Sequence, residues 1–343
     1  MEKPMKKYIK KLILSLLALS IAMVAILLIS RLYYRNQSSV EGTEVSSETE
    51  SAPDTETLQG SEALSSTETL PDTETLSDTE VASDTELPLD TENTSRQSYL
   101  EKCALDYVDA PIMRTREEAV LKIKELSRWF PALYQVYLNE DKYFLEILLS
   151  VANNPEMTDY AYGYLTTDGS VTGGITEDET PESYPLFLQW DIRWGYMPYG
   201  SQGTLGSSGC GPACLAMAVY ALTGNTECTP DAVARYSLEK NYYIEGVGTA
   251  WALLDNYPKK YGLKVEHPST SEKNLKKYLD RGNILICSVR PGDFTAEGHF
   301  IVIYGYDETG FKINDPKCVY RSRLTWTYDQ IQDDIKRIWA IGK

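Results

Sequence analysis

Histidine is scarce in this sequence, and its histidines and cysteines show no metal-binding pattern. The 343 residues include 2 His and 6 Cys. Cys210 and Cys214 are four residues apart, but no second close pair follows, and His267 and His299 are 32 residues apart. A structural zinc site usually takes four ligands from two closely spaced pairs. We therefore predict no metal site and no cofactor.

The sequence is also poor in basic residues. It has 33 Lys+Arg against 50 Asp+Glu, which gives a formal net charge of -17. Its one dense basic cluster lies in residues 1–11, directly before an apolar run. A nucleic-acid-binding surface needs a concentrated basic patch that neutralises phosphates. This charge pattern excludes nucleic acid as a partner.

Charge is missing altogether from the run between Leu12 and Ile29, which is eighteen residues long. As a helix this run extends about 27 Å at about 1.5 Å per residue, which is enough to cross a bilayer. A cleavable secretory signal has a shorter apolar region that ends at small residues. Here the small residues at Ala22 and Ala25 are followed by five more apolar or small residues and then Arg31. The pattern favours a retained transmembrane signal-anchor helix at residues 12–29.

The charges on either side of this run predict the topology. Five lysines precede the run and two arginines follow it. The lysine-rich side prefers the cytoplasm. We therefore expect residues 1–11 to form a cytoplasmic tail, and the body of a single-pass plasma-membrane protein to lie on the extracellular face. If the signal is cleaved instead, the body is secreted.

Aromatic residues are absent from residues 36–97, a stretch rich in Ser, Thr and acids. The tripeptide Asp-Thr-Glu recurs there, beginning at Asp54, Asp72, Asp78, Asp84 and Asp90. With little to bury and much like charge, such a segment does not offset the entropy of ordering. We predict a disordered acidic stalk, which as a coil spans on the order of 45 Å. It serves as a spacer or as a solubilising segment.

Residues 98–165 form a predicted helical region. Apolar residues recur there at helical spacing and indicate about three helices. Thr115 with Glu118 is a capping-box pattern at the start of one of them. The region has no His and one cysteine, Cys103. We expect it to pack on the domain that follows, after a connector at residues 166–182.

Residues 184–343 have the pattern of an α+β domain. Helix starts are indicated by Thr229 with Pro230, by Thr249, and by Ser269 with Glu272. Three short apolar runs, at residues 283–289, 300–306 and 311–313, predict strands. Helices come mostly first and strands mostly last, which is typical of α+β folds.

Cys210 is the residue whose surroundings best suit a nucleophile. It stands between Gly209 and Gly211, directly before an apolar helix with Pro212 in its first turn. Unpaired N–H groups and the positive dipole end at a helix start stabilise a thiolate. Cys214 is an alternative thiol, but its place inside the apolar run predicts a buried and inert group.

A thiolate nucleophile needs a base, and His299 is the better placed histidine. It opens a predicted strand after Gly298, whereas His267 lies in a predicted turn. Asp315 follows sixteen residues later and supplies a carboxylate that orients the imidazole.

The predicted hairpin raises a difficulty for Asp315. A plain turn at residues 308–309 places Asp315 opposite Val302, on the wrong face for His299. A β-bulge near Gly310, or a strong twist, is needed to bring the two together. Asn314 is the alternative orienting residue.

Five short motifs together resemble the papain-like cysteine peptidases. They are, in chain order, Gln189-Trp-Asp-Ile-Arg-Trp194, Gly209-Cys210-Gly-Pro212, Gly298-His299-Phe300, Gly305-Tyr306 and Asn314-Asp315-Pro316. The closest resemblance is to the bacteriocin-processing, double-glycine leader peptidases and their stand-alone cell-surface relatives. It covers about residues 184–343, and no transporter domain follows. It implies a papain-like fold preceded by the helical region, the stalk and one transmembrane helix.

The resemblance also implies roles for four residues. Cys210 is the nucleophile and His299 the general base, while Asp315 orients His299 and Gln189 donates to the oxyanion. We therefore expect a membrane-anchored extracellular cysteine peptidase that acts on peptides or cell-wall peptides through an acyl-enzyme. The alternatives are a catalytically silent surface module for binding or adhesion, and a peptidoglycan amidase or endopeptidase.

Overall fold

The computed structural model describes residues 96–180 and 182–343, with side chains from Leu100 onward. The predicted anchor helix at residues 12–29 and almost all of the predicted stalk at 36–97 lie outside the described residues. Within the two described ranges, no helix is both long and apolar enough to cross a membrane.

The helical region contains five short α-helices where its periodicity indicated about three. They are α1 (Arg96–Cys103), α2 (Arg116–Leu126), α3 (Ala132–Leu138), α4 (Leu145–Asn153) and α5 (Thr158–Gly163). The predicted capping box is confirmed at the start of α2, where the Glu118 N–H donates to Thr115 Oγ1 at 3.2 Å and the Thr115 N–H donates to Glu118 Oε2 at 3.0 Å. Pro131 stands directly before α3, because proline is tolerated at a helix start but not in a helix interior. Such breaks keep the helices short.

Seven further helices belong to the domain that follows. They are α6 (Leu205–Ser208), α7 (Cys210–Thr223), α8 (Pro230–Glu239), α9 (Trp251–Asn256), α10 (Glu272–Leu279), α11 (Val319–Arg323) and α12 (Tyr328–Ile331). The predicted start of α8 at Thr229 and Pro230 is confirmed. The predicted start of α10 at Ser269 is wrong by two residues, because Ser271 is the residue that precedes its first turn. The longest of the seven, α7, is buried along almost its whole length.

Eight strands complete the domain. They are β1 (Tyr243–Ile244), β2 (Gly248–Thr249), β3 (Lys264–Glu266), β4 (Ile284–Val289), β5 (His299–Asp307), β6 (Gly310–Asn314), β7 (Thr325–Trp326) and β8 (Ile335–Gly342). β1 and β2 form a separate hairpin, and the others form one antiparallel sheet in the order β3-β8-β4-β5-β6-β7. Helices first and a sheet afterwards give the predicted α+β class.

The central strands of the sheet are buried on both faces, and a hydrophobic core lies on each side. In β4, Ile286 faces one core, whereas Leu285 and Cys287 face the other. Side chains alternate between the faces of a strand, so a strand covered on both sides becomes a continuous apolar run. The first core is filled mainly by helices, and it includes α7 and the helical region. Cys210 stands at one end of α7, beside this core.

A β-bulge in β5 removes the difficulty with the hairpin. Asp307 pairs with Gly310, as in a plain turn, but the register changes between Ile303 and Gly305 and leaves Tyr304 as the extra residue. Val302 therefore pairs with Asn314. Asp315 is the next residue, so its side chain then lies on the same face of the hairpin as His299. The bulge that the sequence required is present, although it lies at Tyr304 and not near Gly310.

We predict that the core on the helical side carries much of the stability. Ile147 of α4 is fully buried there, whereas Leu121 of α2 is 68% exposed. Ile147→Ala should lower the free energy of unfolding by about 2–5 kcal/mol, because it deletes buried methyl groups and leaves a cavity. Leu121→Ala should change it by less than about 0.5 kcal/mol. Denaturant unfolding measures both, and equal effects of the two substitutions would contradict this assignment of the core.

Candidate active site

The Cys210 thiol lies at the first residue of α7, partly exposed to a cleft. Gly209 precedes the helix, as the sequence pattern predicted. Gly211 has a steric reason to be glycine, because a Cβ there would come within 2.7 Å of the Thr249 side chain on β2. As the first helical residue, Cys210 also has a backbone N–H with no partner inside the helix.

His299 opens β5 and lies between Cys210 and Asp315. Its Nε2 is 2.7 Å from Asp315 Oδ1. The imidazole also lies beside the Cys210 side chain, near enough to shift the pKa of its thiol. Because Asp315 occupies Nε2, Nδ1 is the ring nitrogen left for the thiol. The structure therefore brings together three of the four residues proposed from the sequence, in the order thiol, imidazole, carboxylate.

These contacts shift the pKa values of the thiol and the imidazole in opposite directions. Burial alone would raise the pKa of Cys210, but the hydrogen bond and charge of His299 lower it below its ordinary value, helped by the Phe300 N–H and the charge of Lys317. Burial alone would lower the pKa of His299, but Asp315 and Cys210 raise it to about 9. The two shifts favour a thiolate paired with an imidazolium at neutral pH.

The Asp315 carboxylate is fully buried and has a partner on each oxygen. Besides His299, Oδ1 accepts the Lys317 N–H at 2.8 Å, and Oδ2 accepts Arg321 Nε at 2.7 Å. Burial alone would raise the pKa of Asp315, but the charges of Arg321 and His299 hold it well below its usual range. The carboxylate is therefore ionised at neutral pH.

Gln189, the fourth residue proposed from the sequence, lines the same cleft as Cys210. Its side-chain Nε2 donates to the Gly206 carbonyl at 2.7 Å, and its backbone N–H donates to the Pro316 carbonyl at 2.8 Å. Oε1 is buried without a hydrogen-bond partner among the described residues. An amide nitrogen has two hydrogens, so Nε2 keeps one donor beyond its bond to Gly206.

The other candidates from the sequence have different surroundings. Cys214 is fully buried, and burial raises the pKa of its thiol well above the ordinary value. His267 lies away from the thiol, with Nε2 3.0 Å from Asp255 Oδ1. Asn314, the alternative orienting residue, donates instead to the carbonyls of Tyr184 and Pro185 at 3.2 and 3.1 Å. In this structure Asp315, and not Asn314, contacts His299.

Two basic residues at the site were not predicted from the sequence. Arg321 is buried against Asp315, and Lys317 lines the cleft. Both follow Asp315 within six residues, but a basic residue at that spacing is too common to indicate a role. The contact of Arg321 depends on the short helix α11, which the sequence analysis did not identify.

The cleft is a cavity of about 700 Å³. Gln189, Cys210, His299 and Lys317 line it together with residues of the helical region and of the β1–β2 hairpin. No group of three or more His, Cys, Asp or Glu side chains suited to a metal ion occurs in the described ranges. The Cys210 thiol is free and is not held in a disulfide.

A thiol at a helix start, an imidazole at a strand edge and a buried carboxylate are the grouping of a papain-like thiol peptidase. The Peptidase_C39 like family matches residues 182–342 of the chain. Residues 182–342 thus form a domain of this family of papain-like peptidases related to the bacteriocin-processing enzymes, and the protein is a cysteine peptidase. The predicted family is thereby confirmed.

Two comparisons with individual proteins complete this picture. Among solved structures, the peptidase domain of Streptococcus ComA, a bi-functional ABC transporter involved in a quorum sensing pathway, is similar over 47% of this chain and 99% of its own. The identity is 20% and the TM-score is 0.32. Among curated proteins, none gives a significant match.

We predict that His299 sets the reactivity of Cys210. In the wild-type protein, alkylation of Cys210 should remain fast at mildly acidic pH, where an ordinary thiol with a pKa of about 8.5 is almost fully protonated. His299→Ala removes the cation that lowers the thiol pKa while burial still raises it, so the pH profile of alkylation should move to higher pH. Asp315→Asn should move it in the same direction but less, because Asp315 acts mainly through the imidazole.

The measurement is the alkylation rate of Cys210 as a function of pH, with the modified residue identified by mass spectrometry. Because Cys and His titrate as a coupled pair, the decisive quantity is the shift between variants. His267→Ala is the matched control and should leave the profile unchanged. An unchanged profile in His299→Ala would show that the two residues are not partners.

Proposed function

We propose that the protein is a membrane-anchored extracellular peptidase that hydrolyses peptide bonds through Cys210, His299 and Asp315. The observation that carries this proposal is the arrangement of the Cys210 thiol beside His299, whose Nε2 bonds to Asp315, in a cleft large enough for a peptide. Membership of a cysteine peptidase family supports it.

In the proposed mechanism the Cys210 thiolate attacks the carbonyl carbon of the scissile peptide bond. His299, protonated in the ion pair, then donates its proton to the leaving amine, and an acyl-enzyme remains. His299, now neutral, takes a proton from water, and the hydroxide attacks the thioester. The C–S bond breaks, the acid product leaves, and the proton on His299 restores the ion pair.

The oxyanion in this mechanism forms beside two donors. One is the backbone N–H of Cys210, which has no partner inside its helix. The other is the second hydrogen of Gln189 Nε2, whose first hydrogen is fixed on the Gly206 carbonyl. A donor held in place before the reaction stabilises developing charge without reorganisation. The bond to Gly206 therefore orients the Gln189 amide and leaves its second hydrogen able to donate to the oxyanion.

The position of Asp315 explains how the proposed base keeps its orientation. A neutral imidazole has one N–H, and the carboxylate at Nε2 fixes that hydrogen there. Nδ1 is then free to exchange a proton with the thiol. Asp315 cannot turn away, because Arg321 holds its other oxygen.

The direct test of the proposal is the loss of Cys210. Cys210→Ala should lower the hydrolysis of a peptide library by a factor on the order of 10³ or more, while circular dichroism shows an unchanged fold. Cys214→Ala is the matched control. This variant should retain activity, and its free energy of unfolding should fall by roughly 1 kcal/mol, because the Cys214 thiol of α7 is fully buried in the core. Full activity in Cys210→Ala would disprove the nucleophile. No hydrolysis by the wild-type protein would favour a silent binding module.

The proposed location follows from the N-terminal sequence. The uncharged run at residues 12–29 and the lysines before it support an anchor whose C-terminal side lies outside the cell. The stalk that follows would hold the enzyme away from the membrane, where it meets extracellular or cell-wall peptides.

We expect a protease added to intact cells to release the body of the protein. Cleavage should fall within residues 36–97, because such a segment offers no packed structure against a protease. Immunoblotting of the supernatant measures the released fragment, and a cytoplasmic protein serves as the control for lysis. Protection of the segment in intact cells, with cleavage only after lysis, would contradict the outward orientation.

A further inference from the structure

The helical region and the peptidase domain share one hydrophobic core. Buried side chains of the helical region, such as Leu148 and Tyr160, belong to the same cluster as Trp194 and Leu215 of the domain. The ring of Tyr160 lies against Gly206, where there is no room for a Cβ. Gly206 stands four residues before Cys210. The helical region thus packs directly behind the segment that carries the thiol.

The helical region also forms part of the cleft wall. Met113, Leu149 and Asn153 line the same cavity as Cys210. Asn153 fixes the backbone of the wall segment, since its Oδ1 accepts the N–H groups of Ile112 and Met113, both at 2.9 Å. Its Nδ2 donates to the Met113 carbonyl at 2.9 Å. These residues of the helical region therefore form one side of the cleft.

Glu156, directly before α5, holds the segment that follows Asp315. Its carboxylate is buried and accepts the Val319 N–H at 2.8 Å and the Tyr320 N–H at 2.9 Å. These are the first two N–H groups of α11, which have no partner inside the helix. A carboxylate from the helical region therefore caps a helix of the peptidase domain.

Asn154 holds the same segment at a second point. Its Nδ2 donates to the Lys317 carbonyl at 2.6 Å and to Glu156 Oε2 at 3.2 Å. The Lys317 carbonyl also accepts Trp190 Nε1 at 2.8 Å. The backbone of Lys317 is thereby held from two sides, by Asn154 of the helical region and by Trp190, the residue after Gln189.

Residues of α11 and of the turn before it form hydrogen bonds that hold Asp315 in place. Arg321 of α11 donates to Asp315 Oδ2, and the Lys317 N–H donates to Asp315 Oδ1. The Asp315 N–H in turn donates to Ser322 Oγ at 2.8 Å. Each residue that restrains Asp315, apart from His299, thus lies in the segment that Asn154 and Glu156 hold.

We infer that the helical region is a permanent part of the active enzyme, in which Glu156 and Asn154 are positioning residues for Asp315. The inference rests on the proposed role of Asp315 in catalysis. It excludes the opposite arrangement, in which the helical region is an inhibitory segment that has to leave the cleft. In an inhibited enzyme, weakening these contacts would raise activity, whereas here it should lower activity.

The test is Glu156→Gln in the full chain, assayed by peptide hydrolysis and by alkylation of Cys210 across pH. A neutral amide of nearly the same shape has one acceptor oxygen in place of two, so it loses one of its two bonds to the α11 N–H groups and turns an NH2 group toward that N–H. Arg321 and Asp315 then lose their fixed position. kcat should fall by about ten-fold, the scale of one lost hydrogen bond to a charged group, with a smaller change in KM. The alkylation profile should move to higher pH, because His299 is held less well as a cation.

The matched control is Glu140→Gln. Glu140 is a carboxylate of the same helical region, and it pairs with Arg116 at 2.8 Å away from the cleft. This variant loses an ion pair but should keep both kcat and the alkylation profile. Asn154→Ala is the second test variant. It removes the bond to Lys317 and decides the question if thermal unfolding shows that Glu156→Gln does not fold.

Two results would overturn the inference. One is wild-type kcat and an unshifted profile in both Glu156→Gln and Asn154→Ala. The other is an increase in activity, which would indicate an inhibitory segment. Failure of the proposed function gives a different result, namely hydrolysis that survives in Cys210→Ala or no hydrolysis by the wild-type protein. The two failures are therefore distinguishable in one set of assays.

Discussion

The buried carboxylate of Asp315 is the constraint on which the rest of the site depends. An ionised carboxylate removed from water costs several kcal/mol unless charges and hydrogen bonds surround it. Here an imidazole, a guanidinium and a backbone N–H do so, from His299, Arg321 and Lys317. These groups have to converge on one point, and the bulge at Tyr304 and the helix α11 both serve that convergence. The need to surround a buried charge thus explains both the bulge in β5 and the short helix α11.

The same constraint links the carboxylate to the thiol on the far side of the imidazole. A carboxylate that stays ionised raises the pKa of His299 to about 9, and the resulting cation lowers the pKa of Cys210. Lys317 adds positive charge on the cleft side. The thiolate is therefore stabilised by cations from two directions, although burial opposes its charge. The helix start supplies unpaired N–H groups as a third contribution.

The sequence predicted the residues of the site better than the connections between them. Cys210 at a helix start and His299 at a strand start follow from local patterns of glycine, proline and apolar residues. The bulge was deduced as a requirement, but its place at Tyr304 depends on tertiary packing, where that ring stacks on Tyr184 at 5.0 Å. β8 was missed, although it lies between β3 and β4, because its pattern is interrupted by Lys and Arg. Glu156 could not be found from the sequence, since its partners lie more than 160 residues away.

The shared core has a consequence for how the chain responds to proteolysis. Within the described ranges, the connector at residues 166–175 is partly or fully exposed at every position, whereas Glu179 beyond it is fully buried and bonded to Arg193. A cut in that connector breaks one peptide bond but leaves the apolar cluster and the cap on α11 in place. We therefore expect the two fragments to remain together as a non-covalent, two-chain enzyme. Limited proteolysis at this place changes the covalent structure of the protein without taking its cleft apart.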